Sequence, residues 1–111
     1  MYIMGMNTTK RTAWVVGNGK RFLIEKDTLG SFDKAIFYQS KDGAYRALDR
    51  LYRTHADTKQ HLAEVLQRGY VADYCFNGSK FGQKHIANMR HYLRYNNPKD
   101  CKPMKVTVTL G

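Results

Sequence analysis

The residues of this chain that could do chemistry fall into two groups: a scatter of carboxylates, imidazoles and thiols, and a large excess of bases. The first group is searched for catalysis. Glu25 follows an apolar strand-like run and has Asp27 and Asp33 nearby, a short pattern that distantly suggests the carboxylate cluster of a nuclease. His55, His61, His85 and His91, with Cys75 and Cys101, show none of the close spacings of a structural zinc site. His85 lies on the apolar side of its predicted helix and reads as a core histidine. Gly17-Asn18-Gly19-Lys20 is followed by a strand, whereas a phosphate loop must open a helix. No activated serine or cysteine is recognisable, so the expectation is a non-enzymatic protein with no metal and no cofactor.

The bases carry more information. Lys and Arg number 19 against 9 Asp and Glu, a net charge of +10. They are clustered: residues 10–26 hold five bases and one acid, 41–53 four bases and two acids, and 80–105 seven bases and one acid. Such concentration suits a polyanion, because each neutralised phosphate releases condensed counterions. At 100° per residue, a helix over 80–95 places Phe81, His85, Ile86, Met89, Tyr92 and Leu93 on one side. Lys80, Gln83, Lys84, Ala87, Arg90, His91 and Arg94 occupy the other, an acid-free face with donors for phosphates and base edges. A second candidate surface is the hairpin around residue 18, where Trp14 would stack beside Arg21, with Lys20 near the turn. Arg50 is the base left over on an earlier helix whose Asp42–Arg46 and Asp49–Arg53 spacings neutralise the rest.

These residues need a scaffold, and 111 residues suffice for one domain and one core. Asn18-Gly19 between two apolar runs predicts a type I′ hairpin in which Val15 faces Phe22 and Ala13 faces Ile24. That pairing would bury the Ala13 and Val15 face and leave Trp14 on the open one. A third strand is expected over 34–39. Ser40 then caps a helix to about residue 54, with Ala44, Ala47, Leu48, Leu51 and Tyr52 inward. Asp57-Thr58-Lys59-Gln60 reads as a capping box for a second helix, Leu62, Val65 and Leu66 inward, ended by Gly69. Residues 70–76 fit strand or helix equally. A third helix runs from Ser79 to about residue 95, and an alternating strand over 105–110 joins the sheet. The expected class is therefore α+β: an antiparallel sheet of three to four strands, packed on one face by about three helices, with residues 1–10 as a flexible N-terminal segment. The longest apolar runs are far too short to cross a bilayer, and the first nine residues lack the features of a secretion signal. With two cysteines and no CxxC pair, a cytoplasmic protein is expected, a Cys75–Cys101 bridge being left open.

Three segments carry a resemblance: Gly19-Lys20-Arg21-Phe22, Phe37-Tyr38-Gln39-Ser40-Lys41 and Ala44-Tyr45-Arg46-Ala47-Leu48. Over residues 12–53 their order resembles the three-strands-then-helix layout of the arm-type, AP2-like DNA-binding domains of phage integrases. The resemblance implies a sheet face entering a DNA groove, with Trp14, Arg21 and Lys20 at the contact. Asp42-Gly43 stands where that family usually has helix-forming residues before the alanine, and residues 57–111 have no counterpart in it. The overall style is similar to small phage or mobile-element accessory proteins. The first expectation is thus a nucleic-acid-binding protein, DNA ahead of RNA. The alternative is a phage-type inhibitor or adaptor, such as a counter-defence factor, bound to a host protein or nucleoprotein. A small nuclease using Glu25 and Asp33 ranks last.

Overall fold

The computed structural model describes residues 9–72 and 74–110. The α+β class and the four-stranded antiparallel sheet are as expected. The sheet is built from β1 (Thr9–Gly17), β2 (Phe22–Glu25), β3 (Thr28–Gly30) and β6 (Lys102–Leu110), in the order β3-β2-β1-β6. Thr9 and Lys10 belong to β1, so only residues 1–8 of the expected N-terminal segment lie outside the described residues. The longest ladder joins β1 to β6, from Thr9 opposite Leu110 to Gly17 opposite Lys102.

The hairpin forms, with a different turn. Gly17 pairs with Phe22, and the Asn18 amide donates to the Arg21 carbonyl at 3.1 Å. The two loop residues are therefore Gly19 and Lys20. Of Asn18 and Gly19, only Gly19 has positive φ (93°), so type I′ geometry is absent. The Asn18 side chain explains the shift: its Oδ1 accepts from the amides of Lys20 (2.9 Å) and Arg21 (2.8 Å), an Asx turn that competes with the backbone alternative.

The third strand also comes earlier than 34–39. Lys26 and Asp27 take left-handed φ values of 39° and 61°, reversing the chain at once into β3. Residues 32–34 then make a 3-10 turn. Tyr38 still reaches the sheet, exchanging backbone hydrogen bonds of 2.8 and 2.7 Å with Trp14 where β2 has left the β1 edge.

The described residues form two α-helices where about three were expected. The first, α1 (Lys41–Arg68), runs 28 residues without a break, about 42 Å at 1.5 Å per residue. Ser40 caps it as read, accepting from the Gly43 amide at 3.0 Å, and Gly69 ends it with φ 86°. The apparent capping box lies inside the helix, where Thr58 Oγ1 donates to the Thr54 carbonyl four residues back at 2.8 Å. No glycine or proline falls between residues 44 and 68 to stop propagation. The second helix, α2 (Lys80–Tyr95), begins at Ser79, whose Oγ accepts from Gly82, as expected.

The long α1 serves two cores. Its first half buries Ala44, Ala47, Leu48 and Leu51 against Val16, Leu23, Leu29 and Cys101. Its second half brings Val65 and Leu62 against Val71, Ile86 and Met89. Residues 70–76 resolve as the hairpin β4 (Tyr70–Ala72) and β5 (Cys75–Phe76), with Val71 and Cys75 facing that second core. The two thiols sit in different cores and are both free, which closes the question of a bridge. Tyr52 and Leu66, expected inward, are exposed. No helix among the described residues is long and apolar enough to cross a membrane.

The α2 C-terminus returns to the sheet. The Tyr92 hydroxyl donates to the Asp27 carbonyl at 2.7 Å, and buried Asn96 accepts from the Leu29 amide at 2.8 Å. These bonds set the direction in which α2 presents its outer face.

Candidate nucleic-acid interface

Ile86 and Met89 bury one side of α2, which turns Lys80, Gln83, Lys84, Ala87, Arg90, His91 and Arg94 outward, all exposed. The expected wheel holds except at Phe81, which is 61% exposed. Its neighbour Gly82 is the residue set against β5, so near that a Cβ there would come within 2.0 Å of the Phe76 carbonyl oxygen. The Phe81 ring instead lies parallel to that of His85 at 6.4 Å.

The described residues contain two ion pairs, and neither involves α2. Arg46 pairs with Asp42 at 2.8 Å, as the spacing suggested, but Asp49 and Arg53 do not pair. Arg50, read as a free base, instead donates its Nε to Asp27 at 2.9 Å, while Thr54 Oγ1 donates to the other Asp27 oxygen at 2.9 Å. The bond to Asp27 raises the Arg50 pKa further, so this guanidinium is a strut between α1 and the β2–β3 turn. Lys80, Lys84, Arg90 and Arg94 are left without an acid partner among the described residues. Arg94 lies 5.5 Å from the Tyr95 ring, Gln83 donates to the Gly78 carbonyl at 3.2 Å, and Arg90 lines a shallow groove with Leu66, Gln83, Ile86 and Ala87.

The hairpin residues are placed otherwise than expected. The sheet face carrying Trp14, Val16 and Leu23 is the one packed by α1, so Trp14 is half-buried at the edge of the first core, with Lys41 Nζ 5.6 Å from its ring. Leu29 of β3 joins Val16 and Leu23 on that face, while Ala13 and Val15 on the other are buried as expected, so both faces of β1 are covered. Arg21 donates to the Leu29 carbonyl and holds the β3 backbone, while Lys20 stays exposed in the turn. The interface residues expected from sequence thus separate: five share the α2 face, Lys20 lies apart from them, and Trp14, Arg21 and Arg50 support the fold.

The catalytic alternatives find little geometry. Asp33 accepts from the Ser31 hydroxyl, and the described residues hold no group of three potential metal ligands among His, Cys, Asp and Glu. Burial, then the Asp100 carboxylate, pushes the Cys101 thiol up, which disfavours its thiolate.

Sequence reasoning passed over the end of the molecule beyond the second core. Tyr70, Tyr74, Phe76 and Phe81 are all exposed there. The available signal was density: four aromatics within twelve residues, in a stretch whose secondary structure the pattern left ambiguous. Comparison with protein-family models, with curated proteins and with solved structures finds no match to this chain.

Proposed function

We propose that this protein is a non-enzymatic nucleic-acid-binding protein that holds a phosphate backbone on the outer face of α2. One observation carries the reading: Lys80, Lys84, Arg90 and Arg94 project from one helix face without an acid partner among the described residues, while Asp42 and Asp27 are taken by arginines of α1. Four cations spread over about 21 Å of helix match a repeating polyanion better than a single small ligand. Gln83, on the same face, offers an amide that could read a base edge.

The arm-type resemblance would place the contact on the sheet. The strand order β1, β2, β3 and then α1 fits that layout. Among the described strand residues, the sheet side away from α1 carries only the bases Arg11 and Lys102, one towards each end of the β1–β6 ladder, and between them it is lined by the apolar Ala13, Val15, Met104 and Val106. Two separated bases stand there against the four of α2. Hence α2 is the surface proposed.

The test is binding to single- and double-stranded DNA and RNA over a range of salt. A folded Lys84→Ala, Arg90→Ala, Arg94→Ala triple variant is expected to bind all of them more weakly, its salt slope reduced by about one unit for each lost contact on duplex DNA. Arg50→Ala is expected to lower stability and leave the slope unchanged. A triple variant that binds as the parent does would overturn the reading and return the charge to a protein or nucleoprotein partner.

A further inference from the structure

The far end of the molecule carries a second feature that the phosphate-binding face does not use. Tyr70 and Phe76 are cross-strand partners in the β4–β5 hairpin, so their rings share the hairpin face opposite Val71 and Cys75. Phe76 is 75% exposed and Tyr74, next to the turn, 88%. Together with Cys75 these three rings border an open cleft of about 270 Å³. Large aromatic side chains normally bury most of their surface, and three around one unfilled cleft are costly to leave in water.

Their surroundings are basic. Residues 68–84 hold Arg68, Lys80 and Lys84 against the single acid Asp73. The Arg68 guanidinium is fixed 5.5 Å from the Tyr70 ring by its own bonds to the Tyr70 and Val71 carbonyls, at 2.8 and 3.2 Å. The close approach at Gly82 presses the first turn of α2 onto β5, and Lys80, four residues after Phe76 along the chain, opens the helix that carries Lys84, Arg90 and Arg94 on its outer face. Exposed rings with bases at their border are the two components of a surface that stacks bases while neutralising their phosphates. In a duplex the base faces are already stacked and out of reach.

Resting on the reading of α2 as a phosphate-binding face, we infer that the hairpin tip stacks unpaired bases, which makes the ligand a single strand. Tyr74 and Phe76 are the stacking rings, Tyr70 closes the cleft, and Arg68 with Lys80 neutralises the adjoining phosphates. Duplex DNA engages the α2 bases alone.

Binding of oligo(dT), oligo(U) and a duplex of equal length is measured for the parent and a Tyr74→Ala, Phe76→Ala variant, whose exposed positions leave the core intact. The variant is expected to lose about tenfold or more in affinity for the single strands, with duplex affinity and salt slope retained. The two oligonucleotide arms separate DNA from RNA as the source of the bases. In a separate Phe76→Trp protein with Trp14 also replaced by Phe, indole fluorescence is expected to be quenched on adding oligo(dT). Equal single-strand affinity in parent and variant, or an unquenched indole at saturation, overturns the tip assignment and leaves the rings to a protein partner. If the parent binds none of the three probes, the α2 reading falls too.

Discussion

Tyr92 shows how one hydroxyl joins distant parts of this chain. It sits near the end of α2 and donates to the backbone of Asp27 in the β2–β3 turn, beside the carboxylate that Arg50 and Thr54 share. Burial, and then the Asp27 charge, raises its pKa above the ordinary 10.0. A raised pKa means that the folded state holds the proton more tightly than the unfolded state. The stability it contributes is therefore complete below pH 10 and is lost as pH rises through the native value. Unfolding free energy should fall above about pH 10. Tyr92→Phe should lose about 0.5–1.5 kcal/mol at neutral pH with the hydrogen bond and then decline less steeply than the parent. Tyr38, raised chiefly by its own burial, supplies a further part of the slope. Denaturant titrations from pH 8 to 11 check this, and an equal decline in Tyr92→Phe and parent would reject the account.

At the scale of elements, what the sequence disclosed depended on whether a signal was local. Ser40 and Gly69 were legible as helix ends, and Ser79 as a helix start, because a terminus is decided by a few neighbouring residues. The outer face of α2 was legible because its period is regular over four turns. Phe81 was not, since the residue that α2 sets against β5 is the neighbouring Gly82, a contact no periodicity records. Nor was the face that α1 covers, because β1 buries apolar residues on both of its faces and alternation alone does not choose between them. The pattern at Asp57 is a valid local start signal that lost to continuity: cores at both ends of α1 make a break between them expensive. That claim is testable at Ala56, which is exposed and lies between the two buried stretches. Ala56→Pro should cost about 3 kcal/mol or more by removing a helical hydrogen bond. It should also split denaturation into two steps, with the Val65, Val71, Ile86 and Met89 core melting first. Ala56→Gly should cost about 1 kcal/mol and keep one transition. A single unshifted transition in Ala56→Pro would mean that α1 does not couple the cores.

At the scale of the whole molecule, the charge is arranged along a body measuring 70 × 24 × 22 Å. Lys10, Arg11, Lys20, Lys102 and Lys105 are exposed at the sheet end, whereas Arg68, Lys80 and Lys84 lie by the β4–β5 hairpin and Arg90 and Arg94 follow along α2. A ligand attracted to total charge would respond to all ten net positive units. One held by the α2 face would respond to about four. The two cases differ in the salt dependence of the binding constant, whose logarithmic slope is about −0.7 per phosphate contact for a single strand. Four contacts predict a slope near −3, and the full net charge a slope near −7. Replacing Lys102 and Lys105 by Ala should then leave the slope unaltered, because those bases stand on the sheet. Binding of oligo(dT) measured between about 50 and 200 mM salt distinguishes the cases. A slope near −7 that softens equally on removing sheet or helix bases would mean that diffuse attraction, and no particular face, accounts for the binding.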